Sequence, residues 1–195
     1  MENRTSLTPK EGTMKRSNRL SGVLAAGFLT IVVAPPVAAD EATITTRLVG
    51  YQETPLTINS AGSGEFKARN RDDGTAIDYE LTYRDLSSPV TQAHIHFGRP
   101  ATSGGVVLFL CTNLTPPAGV PKPQACPAAP ATITGTLTAA DVVAVPAQGI
   151  DPGTAGFAEM LKAIRASAAY ANVHTTVHPS GEIRGLLRSH ESDDH

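Results

Sequence analysis

Short segments in which apolar and polar residues alternate recur along this chain and constrain its fold more than any other feature. In residues 77–83, Ile77, Tyr79, Leu81 and Tyr83 point one way and the polar residues between them point the other way. A period of two is typical of a β-strand with one buried face. Weaker versions of the pattern occupy residues 42–48, 64–70, 90–97, 106–110, 131–137, 170–177 and 182–187. Eight such segments, separated by turn sequences, predict an all-β, antiparallel, Greek-key-like β-sandwich or barrel.

One stretch departs from this alternation. Between residues 154 and 168, Phe157, Leu161, Ile164 and Ala168 follow a spacing of three and four residues. That spacing predicts one short amphipathic helix before the last hairpin. Residues 138–141 have the form of a capping box, which would start another helical turn before the next proline.

The first 39 residues have the pattern of a signal peptide. Basic residues precede an apolar run at residues 20–33, and small residues lead to Ala39. We therefore expect cleavage after Ala39, with Met1 or Met14 as the start, and a secreted or periplasmic protein. The apolar run is short for a membrane span, so no membrane association is expected after cleavage.

The remainder is expected to form one β domain over residues 40–188, followed by a disordered tail at 189–195 that is polar and lacks apolar periodicity. Without residues 1–39 the chain has eleven Lys and Arg and sixteen Asp and Glu, a formal net charge of −5. This balance gives no basic surface for nucleic acid or for an anionic membrane.

The two cysteines, Cys111 and Cys126, both lie in the part expected to be exported. In an oxidising compartment such a pair is expected to form a disulfide. The loop between them is rich in proline and cannot form a regular element. We therefore interpret the bond as a staple on a surface loop.

Four of the six histidines fall in two segments. His94 and His96 flank Ile95, so they share one side of a predicted strand, while Ala93 and Ile95 share the other. His174 lies on a later predicted strand and can meet the pair only if the two strands are neighbours. Three converging imidazoles would make a metal site; two histidines facing solvent on an ordinary sheet are the alternative.

The position of His178 relative to these three histidines is loosely specified, because it precedes Pro179 at a predicted turn. It is either a fourth ligand or a solvated side chain. A cluster of imidazoles with little sulfur suits copper or zinc, and the order of intrinsic affinities favours copper.

Three polar residues accompany the second histidine segment. Glu182 and Arg184 share one side of the last predicted strand, and Asn172 lies on the same side as His174. Glu182 and Arg184 are either a structural ion pair or clasp, or they support the ligands, with Glu182 orienting a histidine ring. Asn172 is a second candidate for such support. The sequence contains no motif typical of a catalytic nucleophile.

Taken together, residues 48–55, 93–98, 170–175 and 179–185 resemble the CHRD domain, named after the repeats of chordin. The resemblance spans about residues 42–188 and is most specific in its last motif. It implies a secreted protein, here a single-domain bacterial member, and no generally assigned enzymatic activity. In chordin, such domains belong to an extracellular antagonist that binds growth-factor proteins, a partner that does not transfer to a free-standing bacterial domain. The positions that match the family are His94, His96, Gly98, His174, Gly181, Glu182, Arg184 and Gly185.

Three functions are open at this point. The first is a non-enzymatic exported module that binds a metal ion or an unknown protein partner. The second is a redox enzyme, because a His-X-His strand with a later histidine is similar to the copper site of superoxide dismutases of the copper/zinc type. Four histidines allow only a copper-only variant. The third is a structural or adhesive domain whose histidines bond within the fold.

Overall fold

The computed structural model describes residues 43–190, apart from residues 117 and 120. The expected signal peptide at 1–39 and residues 191–195 of the expected tail lie outside the described residues. The described part contains one α-helix, α1 (Thr154–Arg165), and nine β-strands. The strands are β1 (Thr43–Val49), β2 (Ser63–Asn70), β3 (Ala76–Arg84), β4 (Val90–Phe97), β5 (Gly105–Thr112), β6 (Ala131–Thr138), β7 (Ala169–Thr175), β8 (Ile183–Leu186) and β9 (Arg188–His190).

The strands form one antiparallel sheet in the order β5-β4-β7-β8-β1-β2-β3-β6, with β9 also paired to β1. The two ends of the sheet approach each other. The backbone N–H of Val143, just after β6, donates to the carbonyl of Val107 in β5 over 2.8 Å. The sheet is therefore a nearly closed barrel, which confirms the predicted fold class and selects the barrel over the sandwich.

The inner face of the sheet forms the hydrophobic core. Ile77, Tyr79, Leu81 and Tyr83 of β3 are all buried there, as the alternation predicts. The two tyrosines also satisfy their hydroxyls: Tyr79 Oη donates to the carbonyl of Leu110 over 2.7 Å, and Tyr83 Oη to that of Pro127 over 2.6 Å. Each ring thus fills the core while its polar end reaches a backbone acceptor.

The ends of the strands differ from the predicted ones in two places. The strand predicted over 170–177 ends at Thr175, because the backbone N–H of Thr175 turns to bond the carbonyl of His178. The sequence predicts a disordered tail from residue 189, but Ser189 and His190 belong to β9 and pair with β1. A three-residue strand at the chain end carries no alternation that sequence reasoning can detect, and only its partner strand defines it.

The predicted helix is confirmed as α1, which buries Phe157, Leu161 and Ile164 together with Met160. It ends at Arg165, so Ala168 follows the helix and is only half-buried. The capping box at Thr138 and Asp141 is also present, and it starts a single 3₁₀ turn at Ala139–Asp141. Within the described ranges, no helix has the length and apolar character needed to cross a membrane.

The predicted disulfide joins Cys111 of β5 to Cys126 in the loop before β6, with 5.1 Å between the two Cα atoms. Asn113 holds the same loop: its amide donates to the carbonyls of Val90 and Cys126 and accepts from the N–H of Cys126. The loop is thus fixed to the end of β5 by one covalent bond and by two hydrogen bonds between Asn113 and Cys126, while the third hydrogen bond ties Asn113 to β4.

We expect that replacing both cysteines, Cys111→Ala with Cys126→Ala, lowers the free energy of unfolding by about 3 kcal/mol, because the unfolded chain regains the entropy that the closed loop removes. Urea denaturation measures this. Wild-type protein with its disulfide reduced is the control and should match the double variant. An unchanged denaturation midpoint in both would contradict the prediction.

Candidate metal centre

Strands β4 and β7 are hydrogen-bonded neighbours, which is the condition that a shared histidine site requires. Their register places His94 opposite Asn172 and His96 opposite Tyr170, and His174 pairs with Gln92. Ala93 and Ile95 of β4 are fully buried in the core, as are Ala171 and Val173 of β7. The alternation therefore places all three histidines on the other face of the sheet, together with Tyr170 and Asn172.

The three imidazoles converge on that face. One ring nitrogen from each of His94, His96 and His174 lies within 4.8 Å of the other two. The Nδ1 atom of His94 is 3.2 Å from the Nε2 atom of His174. Two nitrogens bound at 2.0–2.1 Å to one tetrahedral ion are about 3.3 Å apart. The distance between these two nitrogens fits a hydrogen bond from one ring to the other, and it also fits two ligands of the same ion.

Backbone carbonyls fix the orientation of two rings. His96 Nδ1 donates to the carbonyl of Gly104 over 3.0 Å, and His174 Nδ1 donates to that of Pro179 over 2.9 Å. Since Nδ1 carries the proton in each neutral ring, Nε2 presents a lone pair. Among the described residues, the buried Nε2 atoms of His94 and His96 have no hydrogen-bond partner. Buried polar atoms without a partner are rare in proteins and need an explanation.

The surroundings keep the rings uncharged. Burial, with a smaller contribution from the neighbouring rings of His174 and His96, lowers the pKa of His94 to about 2. Burial lowers the pKa of His96 to about 4, against the opposing effect of the Gly104 carbonyl. Burial also lowers the pKa of His174. At neutral pH all three rings are therefore neutral, the form that a metal ion binds.

Aromatic packing holds the rings in place. The ring of Tyr170 stacks on that of His96, with 4.6 Å between centroids and 5° between planes. The guanidinium carbon of Arg184 lies 3.4 Å from the centroid of the Tyr170 ring. On the other side of the cluster, Phe109 of β5 contacts His94 edge to face, with 4.4 Å between centroids.

Arg184 also connects this stack to the loop after β4. Its Nη2 atom donates to the carbonyls of Arg99 and Thr102, over 3.2 and 2.9 Å, and its Nη1 atom donates to the hydroxyl of Thr54. Tyr170 contributes to the same loop, because its Oη accepts from the N–H of Gly104 over 3.1 Å. The loop that supplies the Gly104 carbonyl to His96 is therefore fixed by two side chains from neighbouring strands.

Glu182 makes a different set of contacts from those of the histidines. Its carboxylate accepts hydrogen bonds from the hydroxyls of Ser60, Ser87 and Thr175 and from the backbone N–H of Ser87, at 2.5–2.8 Å. Backbone carbonyls take the Nδ1 protons of His96 and His174, so the hypothesis that Glu182 orients a ligand ring does not hold. Glu182 and Arg184 both bond to the connection between β1 and β2, through Ser60 and Thr54, and not to each other. The clasp is the predicted role that Glu182 fits.

Asn172 leads to a residue that sequence reasoning missed. Its Nδ2 atom donates to Glu53 Oε1 over 2.6 Å, and its Oδ1 atom is buried with no partner among the described residues. Burial raises the pKa of Glu53 to about 7, although Arg184 acts in the opposite direction. Glu53 lies within the 48–55 motif, but it is on no predicted strand, so only that motif could have drawn attention to it.

His178 lies in the turn between β7 and β8 and is half-buried. Its carbonyl accepts from the N–H groups of Thr175 and Gly181, and its own N–H donates to Thr175 Oγ1. The group of converging nitrogens does not include it. The structure thus brings together three of the four predicted ligands.

A family model, described as the CHRD domain, matches residues 44–187. The match covers most of the chain and nearly all of the described residues. The comparisons with curated proteins and with solved structures give no significant match.

Proposed function

Because the chain belongs to the CHRD domain family, whose members have no generally assigned enzymatic activity, we propose that it is a non-enzymatic binding module that holds one transition-metal ion on His94, His96 and His174. The observation that carries this proposal is the convergence of three buried ring nitrogens on one face of the barrel. The spacing of 3.2 Å between His94 and His174 supports it further.

The donor set favours copper or zinc. Neutral imidazoles suit both metals, and copper binds more tightly than zinc in the general order of divalent affinities. The carbonyls of Gly104 and Pro179 supply the outer contacts that a histidine ligand normally has, because each accepts the Nδ1 proton and so leaves Nε2 unprotonated.

We further propose that the protein works outside the cytoplasm, secreted or in a periplasm. The disulfide between Cys111 and Cys126 supports this location, because such bonds persist in oxidising compartments. A protein partner remains part of the proposal, with no surface assigned to it.

His174→Ala is expected to abolish retention of the metal, because it removes one of only three nitrogens. Protein purified without a histidine tag is loaded with Cu²⁺ or Zn²⁺, desalted and measured for metal by mass spectrometry. The wild type should retain about one ion per chain, and the variant close to none.

His190→Ala is the matched control, because His190 lies on β9 and is exposed. This variant should retain metal like the wild type. His178→Ala tests the fourth predicted ligand: an unchanged retention assigns the ion to three histidines. A wild-type protein that loses all metal on desalting would end the proposal.

Thermal unfolding separates metal binding from a purely structural role of the histidines. An ion that binds only the folded state stabilises it by about 2.7 kcal/mol at a free concentration 100 times the Kd. The midpoint of the wild type should therefore rise with added metal, and that of His174→Ala should not. A midpoint that metal leaves unchanged in the wild type would favour the structural role.

A further inference from the structure

We propose that the three-histidine site binds monovalent copper in preference to any divalent ion. This inference rests on the proposed function and deepens it, because it assigns the oxidation state of the bound metal. It is carried by the charges around the site rather than by the identity of the three ligands.

The ligand set carries no negative charge. Among the described residues, no carboxylate or thiolate joins the three ring nitrogens. The nearby carboxylates have other partners: Glu53 bonds to Asn172, and Glu182 bonds to serine and threonine. Both cysteines are in the disulfide. The ligands therefore do not neutralise any of the charge of a bound ion.

The site is also shielded from water. His94, His96 and His174 are only 1, 8 and 6% exposed. Moving an ion from water into such an environment costs free energy in proportion to the square of its charge. This desolvation cost is about four times as large for a divalent ion as for a monovalent ion of equal size. Neutral ligands cannot offset that difference by attraction between opposite charges.

A fixed positive charge lies close to the site. Arg184 packs on the ring of Tyr170, which in turn stacks on His96. A guanidinium stays protonated in proteins, so this charge repels the ion at every relevant pH. The carboxyl group of Glu53 also acts on Arg184, but burial raises its pKa to about 7, so at neutral pH it offsets only part of this charge. The repulsion is twice as large for a divalent ion as for a monovalent one. Zinc has only the divalent state, so the same argument favours copper over zinc.

Competition with chelators tests the preference. The tag-free protein is titrated under nitrogen with Cu⁺, kept reduced by ascorbate, against bathocuproine disulfonate. Cu²⁺ and Zn²⁺ are titrated without ascorbate against nitrilotriacetate. We expect a Kd for Cu⁺ that is lower than that for either divalent ion by about 100-fold. A thiol assay checks that the disulfide stays intact, since free cysteines would bind Cu⁺ themselves.

The outcomes separate the two proposals. Equal or tighter binding of Cu²⁺ or Zn²⁺ overturns the preference for Cu⁺ and leaves the metal site standing. No binding of any of the three ions overturns both. As an independent readout, protein loaded with Cu⁺ under nitrogen is expected to keep an X-ray absorption edge typical of Cu⁺ after the ascorbate is removed and air is admitted.

Two variants test the contribution of Arg184. Arg184→Gln removes the charge and keeps amide donors, whereas Arg184→Lys keeps the charge. The ratio of the Cu²⁺ Kd to the Cu⁺ Kd should fall by about tenfold in the glutamine variant, as expected for one unit charge at this range. It should change little in the lysine variant. Equal changes in both variants would show that Arg184 acts through packing alone and would overturn its electrostatic role.

Discussion

Glu182→Ala is expected to lower the free energy of unfolding by about 3 kcal/mol, because four hydrogen-bond donors, among them the hydroxyl of the fully buried Thr175, lose a charged acceptor at once. The donors belong to Ser60 and Ser87, which lie on two different connections of the barrel, and to Thr175 at the end of β7. The loss would therefore loosen the loops between β1 and β2 and between β3 and β4, together with the end of β7. Urea denaturation followed by circular dichroism measures the change.

Glu159→Ala is the matched control. This glutamate also has a partner, Lys162 at 2.9 Å, but both side chains are about half exposed or more. An exposed ion pair of this kind contributes less than about 0.5 kcal/mol. Similar losses in the two variants would contradict the assignment of Glu182 as a clasp.

The pH dependence of stability gives a second check on Glu182. Burial by itself raises the pKa of Glu182, but hydrogen bonds from Ser60, Thr175 and Ser87 outweigh that effect and hold the pKa below its ordinary value. A carboxyl group with a lowered native pKa stabilises the fold fully above its unfolded pKa, and the contribution disappears as the pH falls through the native pKa. The stability gap between the wild type and Glu182→Gln should therefore narrow on acidification below about pH 4.5. A gap that stays constant between pH 7 and pH 3 would contradict this.

Gly104→Ala is expected to cost more than about 3 kcal/mol of stability and to remove most of the metal affinity. A Cβ atom at this position would lie 1.8 Å from the carbonyl oxygen of Phe97 and 2.5 Å from its carbon, so the backbone must move. The same backbone segment orients a predicted ligand. The carbonyl of Gly104 accepts a hydrogen bond from His96, and its N–H donates one to Tyr170, which stacks on His96. Denaturation and metal content after desalting are measured together.

Gly74→Ala is the control for this substitution. Gly74 has a φ of 66° and open space around the position of a Cβ, so only the strain of the left-handed conformation remains. That strain costs about 1 kcal/mol and should leave metal retention unchanged. Retention of metal by Gly104→Ala at the wild-type level would show that the loop does not orient His96.

The sequence predicts the positions of most strands, and the shared side of His94 and His96, from one local pattern. Both depend on the period of two along a strand, which each segment shows by itself, as in Ile77 to Tyr83 of β3 and His94 to His96 of β4. The meeting of His94 with His174 depends instead on which strands are neighbours. Only the pairing of β4 with β7 decides it.

The remainder of the site depends on contacts that no local pattern encodes. Glu53 reaches Asn172 across 119 residues of sequence, and Ser60 reaches Glu182 across 122. The loops that carry Glu53, Ser60 and Gly104 have no regular period. Their positions follow from the closed barrel and from the side chains that hold them, so sequence reasoning could name Glu182 and Arg184 but not their partners.

The pairing of β1 with β8 and β9 affects the order in which the protein can fold. Thr43, at the start of β1, lies opposite His190, at the end of β9. The pairing of β1 with β9 therefore forms only after residues 188–190 have left the ribosome. Glu182 and Arg184 follow the three histidines in the sequence, so a nascent chain that contains all three histidines but not residues 182–184 lacks the contacts that hold their loops. Metal binding should thus follow the synthesis of β8 rather than that of the last histidine of the cluster.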